Sequence, residues 1–228
     1  MGKKPMAGVR DSRPVRGILG VLYRYGGVGE VKNMIIEFGV YRGRSIRQLA
    51  EHYHDRTVYG FDSFTGITEE WNGNKAGSFA CDIPTVPANV ELVVGLIEDT
   101  LPGFLAGHPG PIEFVHLDVD TYGTTKYILD TIKERLRPSS VVLFDEYWGR
   151  AGEEHERKAF LEFRMENPQL QFVDYYGDIP INRSISSMGL YYLIRTFIRN
   201  PVSAIRNFIN RLRFGDTNPW AGFVLRKA

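Results

Sequence analysis

From residue 34 onward, short apolar runs alternate with stripes at helical spacing. Met34-Ile35-Ile36-Glu37-Phe38 is a nearly continuous apolar run that stops at Gly39, the pattern of a parallel strand buried on both faces. Ile46, Leu49, Ala50 and Tyr53 then recur every three or four residues and predict a helix. Thr57–Phe61, Val90–Val94 and Ile112–Leu117 predict three further strands. Between the second and third, Ser63–Ala88 has no period and predicts a long loop with room for one helical turn. Long loops in compact domains commonly act as functional covers. Ile128, Ile132 and Leu136 stripe a helix that Pro138 is expected to stop, and Val141–Phe144 predicts the fifth strand. Glu153–Glu166 predicts a helix with Ala159, Phe160 and Phe163 inward, and Leu170–Tyr175 and Gly222–Leu225 bring the strand count to seven. This alternation predicts an α/β fold, a doubly wound and mostly parallel seven-stranded sheet, with ligands outside the carboxyl ends of the strands.

About forty residues separate the last two predicted strands, where a hairpin needs two to five. Leu190, Leu193, Ile194, Phe197 and Ile198 form one apolar helical stripe, and Val202, Ile205, Phe208, Ile209 and Leu212 a second after Pro201. The expected organisation is a basic N-terminal segment (1–32) followed by one domain (33–228) that includes a basic amphipathic helical insert (179–215).

Net charge refines that division. The chain carries 28 Lys and Arg against 27 Asp and Glu, which argues against a dedicated nucleic-acid binder, and its 43% hydrophobic content excludes disorder as the main state. The average hides a split: residues 1–32 carry a net +5, residues 33–178 a net −11, and residues 179–215 six Arg and no acid. The helices over 184–213 therefore offer a face for self-association, as in a homo-oligomer, or for a peripheral anionic membrane. Cys81 is the lone cysteine, so no internal disulfide can form. Residues 1–32 contain no secretory apolar region, and a cytoplasmic location is expected.

The candidate chemistry sits at predicted strand ends. After the first strand, Gly39 permits a sharp turn and close ligand approach, and Gly43 opens a helix whose free N–H groups can face that ligand. The spacing differs from the dinucleotide G-x-G-x-x-G, which demotes nicotinamide and flavin cofactors. Asp62, 25 residues after Glu37, stands at the second strand end, where an acid can accept both hydroxyls of a ribose. The fourth strand ends His116-Leu117-Asp118-Val119-Asp120 and the fifth Phe144-Asp145-Glu146. Four carboxylates at neighbouring tips raise one another's pKa, so the cluster calls for a cation or a proton-transfer task; hard oxygen donors suit Mg²⁺. His116 is read as a packed core residue and His155 as a solvated helix residue. Trp71 and Trp148 stand in loops where an indole can stack on a ring substrate.

The motif Glu37-x-Gly39-x-Tyr41-x-Gly43-x-Ser45 resembles the first motif of class I S-adenosylmethionine (SAM) dependent methyltransferases, in a form close to catechol O-methyltransferase. Asp118, Asp120 and the stretch Phe144-Asp145-Glu146-Tyr147 are similar to the macrocin-type sugar O-methyltransferases of antibiotic pathways. The resemblance implies a Rossmann-like methyltransferase fold and a cofactor site of Glu37, Gly39, Tyr41, Gly43, Ser45, Asp62, Ser63, Gly95, Ile97 and Asp118. It also implies Mg²⁺ on Asp118, Asp145 and Glu146, with Asp120 as general base for a sugar or other small hydroxyl acceptor. Glu146 departs from the Asp or Asn usual at its position. Two alternatives stay open: metal-independent transfer with Asp120 or His155 as base, and a non-catalytic SAM-binding scaffold.

Overall fold

The computed structural model describes residues 33–147, 154–176, 179–181 and 221–225. The basic N-terminal segment, the Trp148 loop and the stripes of the basic insert lie outside the described residues. Eight strands form one sheet in the order β3-β2-β1-β4-β5-β8-β6-β7. They are β1 (Met34–Phe38), β2 (Val58–Asp62), β3 (Val90–Val94), β4 (Ile112–Leu117), β5 (Leu136–Phe144), β6 (Phe172–Tyr176), β7 (Ile179–Ile181) and β8 (Ala221–Leu225). The β3-β2-β1-β4-β5 block is parallel, and β8, β6 and β7 add antiparallel pairings. The α/β architecture is as expected, and β7 is an addition to the seven predicted strands.

Every residue of β1 and β4 is buried, which is why both read as continuous runs. Alternation along the strands splits their side chains between two cores. Ile35 and Phe114 share one layer with Ile46, Leu49 and Tyr53 of helix α1 (Arg44–His52) and its C-cap. Ile36, Phe38 and Val115 face the other, built by α2 (Ile97–Gly107), α3 (Tyr122–Ile132) and α4 (Glu156–Glu166). Phe144, Phe160 and Phe223 close that layer, with Phe160 and Phe223 ring centroids 4.3 Å apart. Such aromatic packing adds to simple area burial.

Three local expectations change. The helix across 128–136 ends at Ile132, a short 3₁₀ turn (Lys133–Arg135) follows, and Leu136 already belongs to β5. Pro138 therefore sits in a strand rather than at a helix stop. Helix α2 is an addition to the predicted elements: Ile97, Leu101, Phe104 and Leu105 recur at helical spacing and are buried, and the helix runs on through Pro102. No helix forms in the Ser63–Ala88 loop; it is ordered by the Ile67 N–H on the Ser78 carbonyl, the Gly77 N–H on the Ile67 carbonyl, and a reciprocal pair between Trp71 and Asn74.

Two glycines fix how the loops meet the sheet. Gly39 has φ 89°, and a Cβ there would lie 1.8 Å from the Asp118 carbonyl oxygen. The β1 and β4 tips are thus too close for any side chain at this position. Gly43, at φ 75°, caps α1 in a left-handed conformation. Gly39→Ala combines left-handed strain with a backbone clash and is expected to destabilise the protein by at least ~3 kcal/mol. Urea unfolding against the unaltered protein measures this; a loss under ~1 kcal/mol would contradict the packing described.

Candidate active site

Beyond the carboxyl ends of β1, β2 and β4 lies a cavity of about 380 Å³. Gly39, Tyr41, Asp62, Ser63, Gly95 and Ile97 line it together with Asp118, Asp120 and Glu146. Glu37, Gly43, Ser45 and Asp145 are not among its lining residues. Trp71 and Phe79, from the long loop, form part of its wall with their rings 6.1 Å apart.

Asp62 holds the glycine loop. Its Oδ2 accepts the N–H groups of Val40 (2.9 Å) and Tyr41 (2.7 Å), and Oδ1 accepts that of Phe64 at 2.8 Å. A carboxylate has about four acceptor sites, so three backbone bonds leave capacity for a ligand hydroxyl. The long loop is fastened on the far side, where Glu69 Oε1 accepts the N–H of Gly123 at 3.2 Å. A carboxylate at that helix N-terminus is favourable, since α3 has no side-chain cap of its own.

Beneath the cavity Glu37 is fully buried, and its Oε1 lies 2.8 Å from His116 Nδ1. Burial alone would lower the His116 pKa, but the hydrogen bond and charge of Glu37, with Asp118 and Asp145 behind, raise it to about 9. Reading His116 as a packed core residue captures its burial and misses this ion pair. His155 is a half-buried N-cap of α4 with Nδ1 enclosed and unpaired, not a solvated helix residue.

Asp118, Asp120, Asp145 and Glu146 gather as the strand ends predict. Burial first, then Asp145, pushes Asp118 well above the usual carboxylate range. The same order of causes raises Asp120 to about 6, and burial, Asp145 and Asp120 raise Glu146 to about 7. Asp120 also has a left-handed backbone, φ 63°. Glu156, which sequence reasoning did not single out, is fully buried under both tips, with its carboxyl raised by burial and then by Asp118 and Asp120.

Among the described residues, ligand atoms of His116, Asp118 and Asp145 fall within 4.8 Å of one another. The chemistry favours a different donor set. With its pKa raised to about 9 by Glu37, His116 acts as counter-charge rather than ligand, whereas the crowded carboxyl oxygens of Asp118, Asp145 and Glu146 fit a hard divalent cation.

A model of a family described as a methyltransferase domain matches residues 36–147. The chain is 32% identical over 137 residues to the 8-demethyl-8-(2,3-dimethoxy-alpha-L-rhamnosyl)-tetracenomycin-C 4'-O-methyltransferase of Streptomyces olivaceus, covering 50% of this chain and 52% of that protein. It thus spans about half the length of the curated relative it matches. A crystal structure of CalS11, a calicheamicin methyltransferase, superposes with a TM-score of 0.56 at 26% identity, covering 68% of this chain and 71% of that one. An apo structure of CalS11, described as a TDP-rhamnose 3'-O-methyltransferase, gives a TM-score of 0.50 at 25% identity over the same shares.

The shifted groups fix a pH dependence. His116 binds its proton more tightly folded than unfolded, so its stabilisation is complete below about pH 6.5 and is lost as pH rises through about 9. The raised carboxyls of Asp120 and Glu146 act in the same direction, their contribution vanishing as pH rises through about 6 and 7. The metal-free protein should therefore lose thermal stability steadily from pH 5 to pH 9, with His116 contributing on the order of 3 kcal/mol. Glu37→Gln should flatten the portion above pH 7. A melting temperature that rises across this range would refute the assignment.

Proposed function

We propose that this chain is a class I SAM-dependent methyltransferase that transfers the methyl group of SAM to a hydroxyl of a small polar acceptor, a sugar or glycosylated natural product. The observation that carries the reading is one cavity lined both by the glycine loop with Asp62 and by the acidic tips of β4 and β5. The sugar assignment draws on the relatives' own acceptors, a rhamnosyl group and TDP-rhamnose.

In this reading Asp62 keeps acceptor capacity for the ribose hydroxyls, while Gly39 admits the donor close to the backbone. Gly95 and Ile97, at the start of α2, frame the adenine. Asp120 lies on the cavity wall with its pKa raised to about 6 by burial and Asp145, suited to taking the acceptor's proton as the oxygen attacks. Methyl transfer is an in-line displacement, so holding oxygen, methyl and sulfur collinear supplies most of the acceleration. Asp118, Asp145 and Glu146 would hold Mg²⁺, which when bound lowers the pKa of the acceptor hydroxyl. A second reading, metal-independent transfer with Asp120 as base, is favoured by the His116 cation already beside the carboxylates.

Calorimetry separates these. SAM should bind, and Asp62→Ala should weaken it at least ~10-fold through loss of both loop order and ribose acceptors. Asp120→Asn should leave SAM affinity within about twofold and lower kcat by ~10²–10⁴ on an acceptor found by screening TDP-sugars and rhamnosides. Activity abolished by EDTA and restored by Mg²⁺ selects the metal-assisted form; activity indifferent to EDTA selects the other. No SAM binding at millimolar concentration overturns both.

A further inference from the structure

We propose that Glu156 is a positioning residue that ties the two acidic strand tips of this site to each other. Its side chain is fully buried in the first turn of α4 and does not line the cavity. Its Oε2 accepts the N–H of Glu146 at 3.2 Å, and its Oε1 faces the N–H of Val119 at a longer 3.4 Å. Val119 stands between Asp118 and Asp120, and Glu146 directly follows Asp145. One carboxyl group thus joins, oxygen by oxygen, the backbone beyond β4 to the backbone beyond β5.

The placement has a physical cost that needs a reason. Burying a carboxyl beside other carboxyls is unfavourable, and an apolar residue of similar volume would fill the space more cheaply. What an apolar residue cannot supply is two acceptors aimed at two backbone N–H groups of different segments. Without an acceptor, both would be enclosed donors left unpaired. The first turn of α4 lies at the positive end of the helix dipole, which lowers part of the cost. The tie also acts where the backbone most needs restraint. Asp120 is held at φ 63°, and the Thr121 N–H closes a tight turn on the Val119 carbonyl at 2.6 Å. Fixing the Val119 N–H fixes the start of that turn and so the direction of the Asp120 side chain. Why the tips must be held rests on the methyltransferase reading; how they are held does not.

Glu156→Gln keeps the size of the side chain and one acceptor oxygen but turns an NH₂ group toward the second N–H, so one tie is lost. Amide hydrogen exchange should accelerate at least tenfold in residues 117–121 and 145–147 and stay unchanged in β1, β2 and α1. SAM affinity should hold within about twofold, whereas Mn²⁺, used as the metal probe and followed by water-proton relaxation, should bind about tenfold more weakly. No local acceleration, or SAM and Mn²⁺ affinities falling together, would overturn the proposal in favour of a general structural role. Should the variant not fold, the unaltered protein decides: slow exchange at Val119 and Glu146 supports the tie, and exchange at the rate of exposed loop amides refutes it. An unaltered protein that fails to bind SAM overturns the methyltransferase reading instead, and the exchange result still judges Glu156.

Discussion

Enclosed negative charge in excess of its counter-charge is the constraint on which this site depends. Asp118, Asp120, Asp145 and Glu146 converge at two strand tips, and Glu156 lies under them. Among the described residues His116 is the cation whose charge offsets Asp118, and it is already paired with Glu37. In a medium of reduced dielectric such crowding is costly, and Asp118, Asp120, Glu146 and Glu156 hold their protons more tightly. A group of acids poised to release protons near neutral pH is what deprotonation of an alcohol, or capture of a divalent cation, requires. The same property that destabilises the site suits it to the proposed reaction.

The rest of the architecture sets the spacing of that charge. Parallel pairing of β1, β2, β4 and β5 brings their carboxyl ends to one rim, so residues far apart in the chain become neighbours. Gly39 then lets the β1 tip press against the Asp118 carbonyl, closing the floor of the cavity. Asp62 works toward the loop rather than toward the cluster. By accepting three backbone N–H groups it shapes the turn after β1 and remains on the cavity wall. Its charge is thereby neutralised by dipoles, and it does not add to the crowding at β4 and β5.

The parallel half of this fold was legible because a strand buried on both faces leaves a continuous apolar signature, as in Ile112–Leu117. The elements that escaped carry conflicting local signals. Pro102, Gly103 and Gly107 give α2 poor helix propensity despite its regular apolar spacing, Pro138 lies within a strand, and β7 is three residues long. The site divides in a similar way. Asp62, Asp118, Asp120 and Glu146 announce themselves by standing just past apolar runs. The Glu37–His116 pair joins positions 79 residues apart, and both members sit inside strands that read as core. Glu156 lies in an acidic stretch where composition suggests a solvated face. Its spacing is the signal that could have found it: Glu156 stands three, four and seven residues before Ala159, Phe160 and Phe163, on the stripe that the packing of α4 turns inward.

That packing explains how a carboxyl can be kept where solvation is lost. Glu156 is one turn before Phe160 and two before Phe163, on the same face of α4. Phe160 packs on Phe144, whose next residue is Asp145, and on Phe223 across the antiparallel edge. Full burial of a phenylalanine contributes roughly 1.5–3 kcal/mol, and the ring pairs add to it. Two such anchors on one helix offset a desolvation cost of several kcal/mol at its first turn. The aromatic layer beneath β5 therefore does more than fill the core. It fixes the helix whose N-terminal carboxyl reaches the two acidic tips, and so couples the aromatic core to the crowded carboxyls.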